Sequence, residues 1–133
     1  MWLLDRFVPA LSFSFPGIRV VALLPALAGI AVCAAGVLSF QRAGTTTNPL
    51  DPGRASKLVV AGIYRYSRNP MYLGFALLLA AWGVFLGNLA ALLAVAAFII
   101  YMNRFQVAPE ERALEALFGE EYRAYRRSVR RWI

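Results

Sequence analysis

The sequence predicts an all-α integral membrane protein with about three transmembrane helices, an N-terminal interfacial or partial helix, and a C-terminal cytoplasmic amphipathic helix. Three observations carry this prediction. Hydrophobic residues fill 60% of the 133 positions and charged ones only 16%, far from the balance of a soluble domain. The apolar residues fall in long charge-free blocks, comparable to the roughly 20 residues a helix needs to cross a bilayer. The cations gather instead in two segments, 41–69 and 103–133, which hold 12 of the 14 lysines and arginines. Cytoplasmic loops carry such an excess, so both segments are expected on the cytoplasmic side.

Residues 1–16 are apolar but broken by Asp5 and Arg6 and punctuated by Pro9 and Pro16, which suits an interfacial or partly inserted helix. There is no basic n-region or small-x-small cleavage site before the first apolar block, so the spans are expected to be uncleaved. Residues 17–40 form the first span, uncharged past Arg19. Pro25 should kink it, while Gly29 and Gly36 offer a small-residue face for close helix packing. Residues 41–69 are a polar, turn-rich cytoplasmic loop. Pro70 suits the first turn of a helix, and residues 70–102 read as a hairpin of two spans that reverses at Gly87-Asn88. In the tail, 103–133, Leu114, Phe118, Tyr122, Tyr125, Val129 and Trp132 recur at helical spacing, which predicts one amphipathic helix. The whole chain is expected to be one domain.

The net charge of +7 points in a membrane protein to topology and to contact with anionic lipid. No nucleic-acid-binding motif accompanies it. Thirteen of the 14 cations are arginine and alanine is abundant, the bias of a GC-rich bacterial genome. The expected location is therefore the bacterial inner membrane, multi-pass, with the C-terminus cytoplasmic. Cys33 is the only cysteine and sits in an apolar run, so no disulfide forms within the chain. Histidine is absent, which removes the commonest general base and metal ligand, and no metal is expected.

Three spans place the boundary stretch Gly62–Gly74 and the Glu110–Glu111 pair at the same end. The convergent set is Tyr64, Arg68, Asn69 and Tyr72 from one side, and Arg104, Gln106, Glu110 and Glu111 from the other. Carboxylates suit a ribose diol or an ammonium, cations suit a carboxylate, and aromatic faces suit an adenine or a sulfonium. These are the parts of S-adenosylmethionine, and methyl transfer from a sulfonium needs alignment more than it needs a histidine base. A structural alternative stays open on spacing alone: Arg68 snorkels, Tyr64 and Tyr72 form an interfacial belt, and the glutamates cap the tail helix behind Pro109. The chain would then be a non-catalytic transporter-like or assembly protein.

Gly62-x-Tyr64-x-x-x-Arg68-Asn69-Pro70-x-Tyr72-x-Gly74, followed by Glu110-Glu111 and Phe118-Gly119-Glu120-Glu121-Tyr122-x-x-Tyr125-x-x-x-Val129, resembles the isoprenylcysteine carboxyl methyltransferase family and its bacterial and phospholipid-methyltransferase relatives. The likeness runs from about Thr45 to Trp132. It implies a membrane-embedded methyltransferase that binds S-adenosylmethionine without a Rossmann domain, in keeping with the absence of a Gly-rich strand–helix loop. Carried over by motif, the cofactor-binding residues are Ser56, Lys57, Leu58, Val59, Tyr64, Asn69, Pro70, Met71, Tyr72 and Glu110, to which the convergent set adds Arg68. Two positions depart from the family pattern: Asn69 stands where a histidine is usual, and Gln106 where prenylcysteine enzymes carry an arginine that faces the substrate carboxylate. Gln106 and Arg104, two residues apart, are therefore the candidate catalytic residues. A neutral amide suits a lipophilic amine, thiol or hydroxyl acceptor at least as well as a carboxylate. Isoprenylcysteine-type carboxyl methylation is the alternative. Tyr122 and Arg126 are the inward-facing candidates of the tail, expected to lie over the site as a lid.

Overall fold

The computed structural model describes residues 1–44 and 58–133. Among these residues the chain is helical, apart from turns, short extended links and a single antiparallel bridge between Ser12 and Asn88. In chain order the helices are α1 (Trp2–Phe7), α2 (Ile18–Ala43), α3 (Pro70–Leu86), α4 (Leu89–Met102), α5 (Ala108–Phe118) and α6 (Glu120–Ser128). Short 3₁₀ turns cover Pro9–Leu11 and Gly62–Arg65.

Helix α2 runs through Pro25 without a break and packs along α3. Small residues set the closeness of that contact. A Cβ added at Gly29 would lie 2.8 Å from the Gly74 carbonyl oxygen, and one at Gly74 would overlap Cys33 Sγ. The backbones therefore meet at Gly29, Cys33 and Gly74, on the small-residue face expected from the sequence. One helical turn or two further on, Gly36 receives Met71 and Pro70. This places the N-terminus of α3 beside the C-terminal half of α2.

The α3–α4 hairpin turns at Gly87-Asn88, as expected. Asn88 is buried and uses its whole amide: Oδ1 accepts from the Ala90 and Ala91 amides at 2.8 and 3.3 Å, and Nδ2 donates to the Val8 carbonyl at 3.0 Å and to Ser12 Oγ at 3.3 Å. The Phe13 amide adds a bond to the Gly87 carbonyl at 2.6 Å. Residues 1–13 are thus tied to the hairpin tip, at the far end from Gly62–Gly74. Helix α1, with six residues, spans about 9 Å and is too short to cross a bilayer.

Among the described residues, two helices are long and apolar enough to cross a membrane: α2, and a continuous helix from Leu89 to Phe118. Helix α3 is apolar but has 17 residues, about 26 Å of rise against a hydrocarbon core of about 30 Å. The long helix differs from expectation, because the tail does not begin a new helix at Asn103. Helix α4 continues through a π turn, Asn103–Val107, into α5. Pro109 explains the turn. It has no amide hydrogen to give the Phe105 carbonyl and its ring crowds that carbonyl, so the backbone widens and the Ala108 amide bonds back to Asn103. The tail's predicted single helix is also divided. Gly119, at φ 56° and ψ −123°, sits in a backbone region essentially reserved for glycine and separates α5 from α6.

The predicted stripe nevertheless faces one way. Leu114, Phe118, Tyr122, Tyr125 and Val129 pack with Phe40, Leu58, Val59, Ile63 and Tyr64 into one apolar cluster. Its centre is the buried set Val59, Tyr64, Tyr122 and Tyr125. Helix α6 is therefore folded onto the end of α2 and the Gly62–Arg65 turn.

Candidate functional site

The site lies at the end of the bundle where α3 begins and α5 passes. The Gly62–Arg65 turn presses Gly62 against Ser39 of α2 and directs Tyr64 inward, its ring edge-on to Phe40 with centroids 5.3 Å apart. Ser67 Oγ accepts the Asn69 amide at 3.1 Å, and Pro70 then opens α3 where a missing amide hydrogen costs little. Tyr72 follows on the first turn, facing the long helix.

Two carboxylates meet this segment from neighbouring positions of α5, and their consecutive placement sends them different ways. Glu110 turns to α3: its Oε1 accepts a short bond from the Tyr72 hydroxyl, at 2.5 Å, and a second from Gln106 Nε2 at 2.7 Å. Its Oε2 accepts no bond from a described residue. Glu111 turns to the tail. Arg68 Nη1 donates to its Oε1 at 2.9 Å, while Arg131 grips both oxygens, Nε to Oε1 at 2.9 Å and Nη2 to Oε2 at 2.8 Å. That fork-to-fork pairing is the strongest geometry an arginine and a carboxylate can make. Arg68 also donates to the Tyr122 hydroxyl at 3.2 Å, and its buried Nε has no partner among the described residues.

The last residues of the chain close over this arrangement. The Arg68 amide donates to the Arg130 carbonyl at 3.1 Å and Asn69 Nδ2 to the Arg131 carbonyl at 2.9 Å. Trp132 Nε1 reaches Asn103 Oδ1 at 3.0 Å. Tyr125 donates its hydroxyl to the Tyr64 carbonyl at 2.7 Å. Burial pushes the Tyr64 and Tyr125 phenols well above their ordinary range, so both remain donors at neutral pH. Tyr122 is raised as well, by burial first and by the Glu111 charge second. The hydrogen bonds to Glu111 raise Arg131 further above its ordinary value.

The expected residues divide into groups. Tyr72, Gln106 and Glu110 come together as one hydrogen-bonded cluster. Tyr64 lies beside Val59 and Leu58, with Met71 and Pro70 turned toward Gly36 of α2. Asn69 holds the chain end through Arg131, and Arg68 is engaged by Glu111 and Tyr122. Ser56 and Lys57 lie outside the described residues. Arg104 is on another face of the long helix from Gln106, exposed, with its guanidinium 5.8 Å from the Phe105 ring centre. Arg126 is also turned outward, 3.7 Å from Glu115, whereas Tyr122 is buried as expected. The capping role considered for Glu110 and Glu111 does not hold: α5 carries no side-chain cap, and both carboxylates are bonded instead to Tyr72 and Gln106 and to Arg68 and Arg131. Arg131 was not singled out by the sequence. What selects it over Arg127 and Arg130 is the end of α6 at Ser128, where the chain turns back toward Glu111.

Similar proteins were found by sequence. Residues 18–121 match a family model described as phospholipid methyltransferase. A Haemophilus influenzae protein of uncharacterised function is 52% identical over 63 residues, which is 47% of this chain and all of the relative. The protein-S-isoprenylcysteine O-methyltransferase of Schizosaccharomyces pombe is 33% identical over 72 residues, 54% of this chain and 30% of the yeast protein. The methanethiol S-methyltransferase 1 of Bradyrhizobium diazoefficiens is 40% identical over 67 residues, 50% of this chain and 22% of that enzyme. The chain thus spans less than a third of the two relatives whose names give an activity.

Proposed function

The chain belongs to the phospholipid methyltransferase family, and from that premise we propose that it transfers a methyl group from S-adenosylmethionine to a small lipophilic acceptor at the cytoplasmic face of the bacterial inner membrane. The observation that carries the proposal is the meeting of Glu110 with Tyr72 and Gln106, respectively 38 and 4 residues from it in sequence, at the cation-rich end of the bundle. The residues fit the donor. Tyr72 and Gln106 fix one carboxylate oxygen of Glu110, and the other, which no described residue engages, suits a ribose hydroxyl or an ammonium group. Tyr64, Val59 and Leu58 line the adjoining aromatic wall, and Ser56 and Lys57 precede it in the chain. When bound, S-adenosylmethionine supplies an activated methyl on a sulfonium. The protein's part is to hold that methyl in line with the acceptor's nucleophilic atom, which can account for several orders of magnitude in rate. The 12 cations of segments 41–69 and 103–133 support placing this end, and the C-terminus, in the cytoplasm.

Gln106 supports a neutral acceptor. Its amide is bonded to Glu110, and no guanidinium occupies that position to clamp a substrate carboxylate. Carboxyl methylation of a prenylcysteine is the second reading, favoured by the likeness to the yeast enzyme. Calorimetric titration of the protein in nanodiscs with S-adenosylhomocysteine tests the donor half. Binding is expected, with loss in Glu110→Ala and about ten-fold weakening in Tyr72→Phe, the worth of one hydrogen bond to a charged group. Absence of binding at millimolar ligand would reject the enzyme reading. Labelled donor with a panel of amine, thiol, hydroxyl and prenylcysteine acceptors tests the other half, and efficient turnover of the carboxylate would overturn the argument from Gln106.

A further inference from the structure

We propose that the outward face of the long α4–α5 helix holds the headgroup of an anionic phospholipid between Arg104 and Arg112. The face repeats at four-residue spacing, Ile100, Arg104, Ala108, Arg112, so two guanidinium groups flank a methyl side chain. These residues, with Phe105 and Pro109, border one cleft of about 580 Å³. Neither arginine has a carboxylate within ion-pair distance among the described residues. The tail's Arg123, Arg126, Arg127 and Arg131 all have one. The acids of this helix are all engaged elsewhere: Glu110 with Tyr72, Glu111 with Arg68 and Arg131, and Glu115 with Arg123 and Arg126 of α6. The outward face is therefore cationic without compensation.

Its position says what covers it. The cleft begins where the apolar run Leu89–Met102 stops. Ile100 is 69% and Phe105 59% exposed, so large apolar side chains lie at the margin of a cationic notch. A free anion would leave those side chains in water. A phospholipid satisfies both halves at once: its phosphodiester bridges the two guanidinium groups, and its first methylenes cover Ile100 and Phe105. A lipid with net negative charge is favoured, because a zwitterionic headgroup brings its own cation into the notch. The site is on a different face from Glu110 and Gln106 and does not depend on the proposed methyl transfer.

The test is native mass spectrometry of the detergent-purified protein with equimolar phosphatidylglycerol and phosphatidylcholine of identical acyl chains. Wild type is expected to retain phosphatidylglycerol at least about five-fold over phosphatidylcholine, and Arg104→Gln/Arg112→Gln to lose that preference. Arg123→Gln/Arg127→Gln, which removes the same charge from α6, is expected to keep it. Ala108→Trp fills the notch with both cations intact and is expected to lose it as well. Equal retention of the two lipids by wild type would overturn the proposal, as would retained preference in Arg104→Gln/Arg112→Gln. Displacement of phosphatidylglycerol by low-millimolar inorganic phosphate would show a free-anion site and overturn the assignment to lipid.

Discussion

Replacing Glu111 should do more to the tail than replacing the arginine that grips it from above. In Glu111→Ala the Arg68 guanidinium loses its counter-charge while its side chain stays buried, 9% exposed. Stripping one partner from a buried pair costs about 3–5 kcal/mol, because the remaining charge has neither water nor an anion. Arg131→Ala is milder. The Arg131 side chain is 34% exposed, so solvent screens its half of the interaction, and Glu111 keeps Arg68. About 1 kcal/mol is expected after that discount. Hydrogen exchange of the α6 amides reads both, since local opening of α6 and the chain end breaks these contacts together. Glu111→Ala should raise exchange by about two to three orders of magnitude and Arg131→Ala by about five-fold. The double variant should match Glu111→Ala, since Arg131 has no carboxylate left to lose. Equal effects of the two single substitutions, or additive effects in the double, would refute the assignment of Glu111 as the charge that fastens the tail.

Gly74→Ala should lower stability by about 1–3 kcal/mol in a thermal or denaturant melt, because the new methyl overlaps Cys33 Sγ and also meets the backbone of Gly29 and Cys33 in α2. Adding Cys33→Ala should recover part of the loss. Asn88→Ala removes the side-chain cap of α4 and leaves the Val8 carbonyl without its donor, a cost of about 2–3 kcal/mol, and proteolysis should then attack residues 1–13 before the helices. Stability should fall in strong base. Tyr64, Tyr122 and Tyr125 have folded pKa values raised above their unfolded ones, so their contribution is complete below about pH 10 and is lost as pH rises toward the folded values. Phenolate absorbance and α6 exchange should change together above that pH.

The parts of this structure that could be read ahead are those set by local chemistry. Gly87-Asn88 marked the hairpin tip, Pro70 marked the start of α3, and Gly29 and Gly36 marked the packed face of α2. The pairing of Glu110 with the Tyr72 segment followed from the hairpin and the motif spacing. What stayed hidden depends on long-range geometry. Nothing near Asn88 in sequence reveals that Val8 and Ser12 would use its amide. The stripe through Tyr122 and Tyr125 kept its face despite the break at Gly119, because the cluster around Tyr64 selects apolar side chains whatever the backbone between them does. The tail's basic character suggested a surface helix, yet Arg131 is held by a buried carboxylate.

The π turn ahead of Pro109 decides which glutamate faces which partner. A turn of this kind accommodates one residue more than an α-helix of the same rise, so everything after it lags by about 100°. Were the turn wound up as regular helix with its length unchanged, Glu110 would arrive where Glu111 now meets Arg68 and Arg131, and Pro109 would face Tyr72. Deleting a single residue between Asn103 and Val107 would instead remove the bulge and preserve the phase of everything beyond it. The long helix therefore contains one position at which its length is adjustable by a residue without turning the carboxylates away. Elsewhere in it, the same deletion would rotate one half of the site against the other.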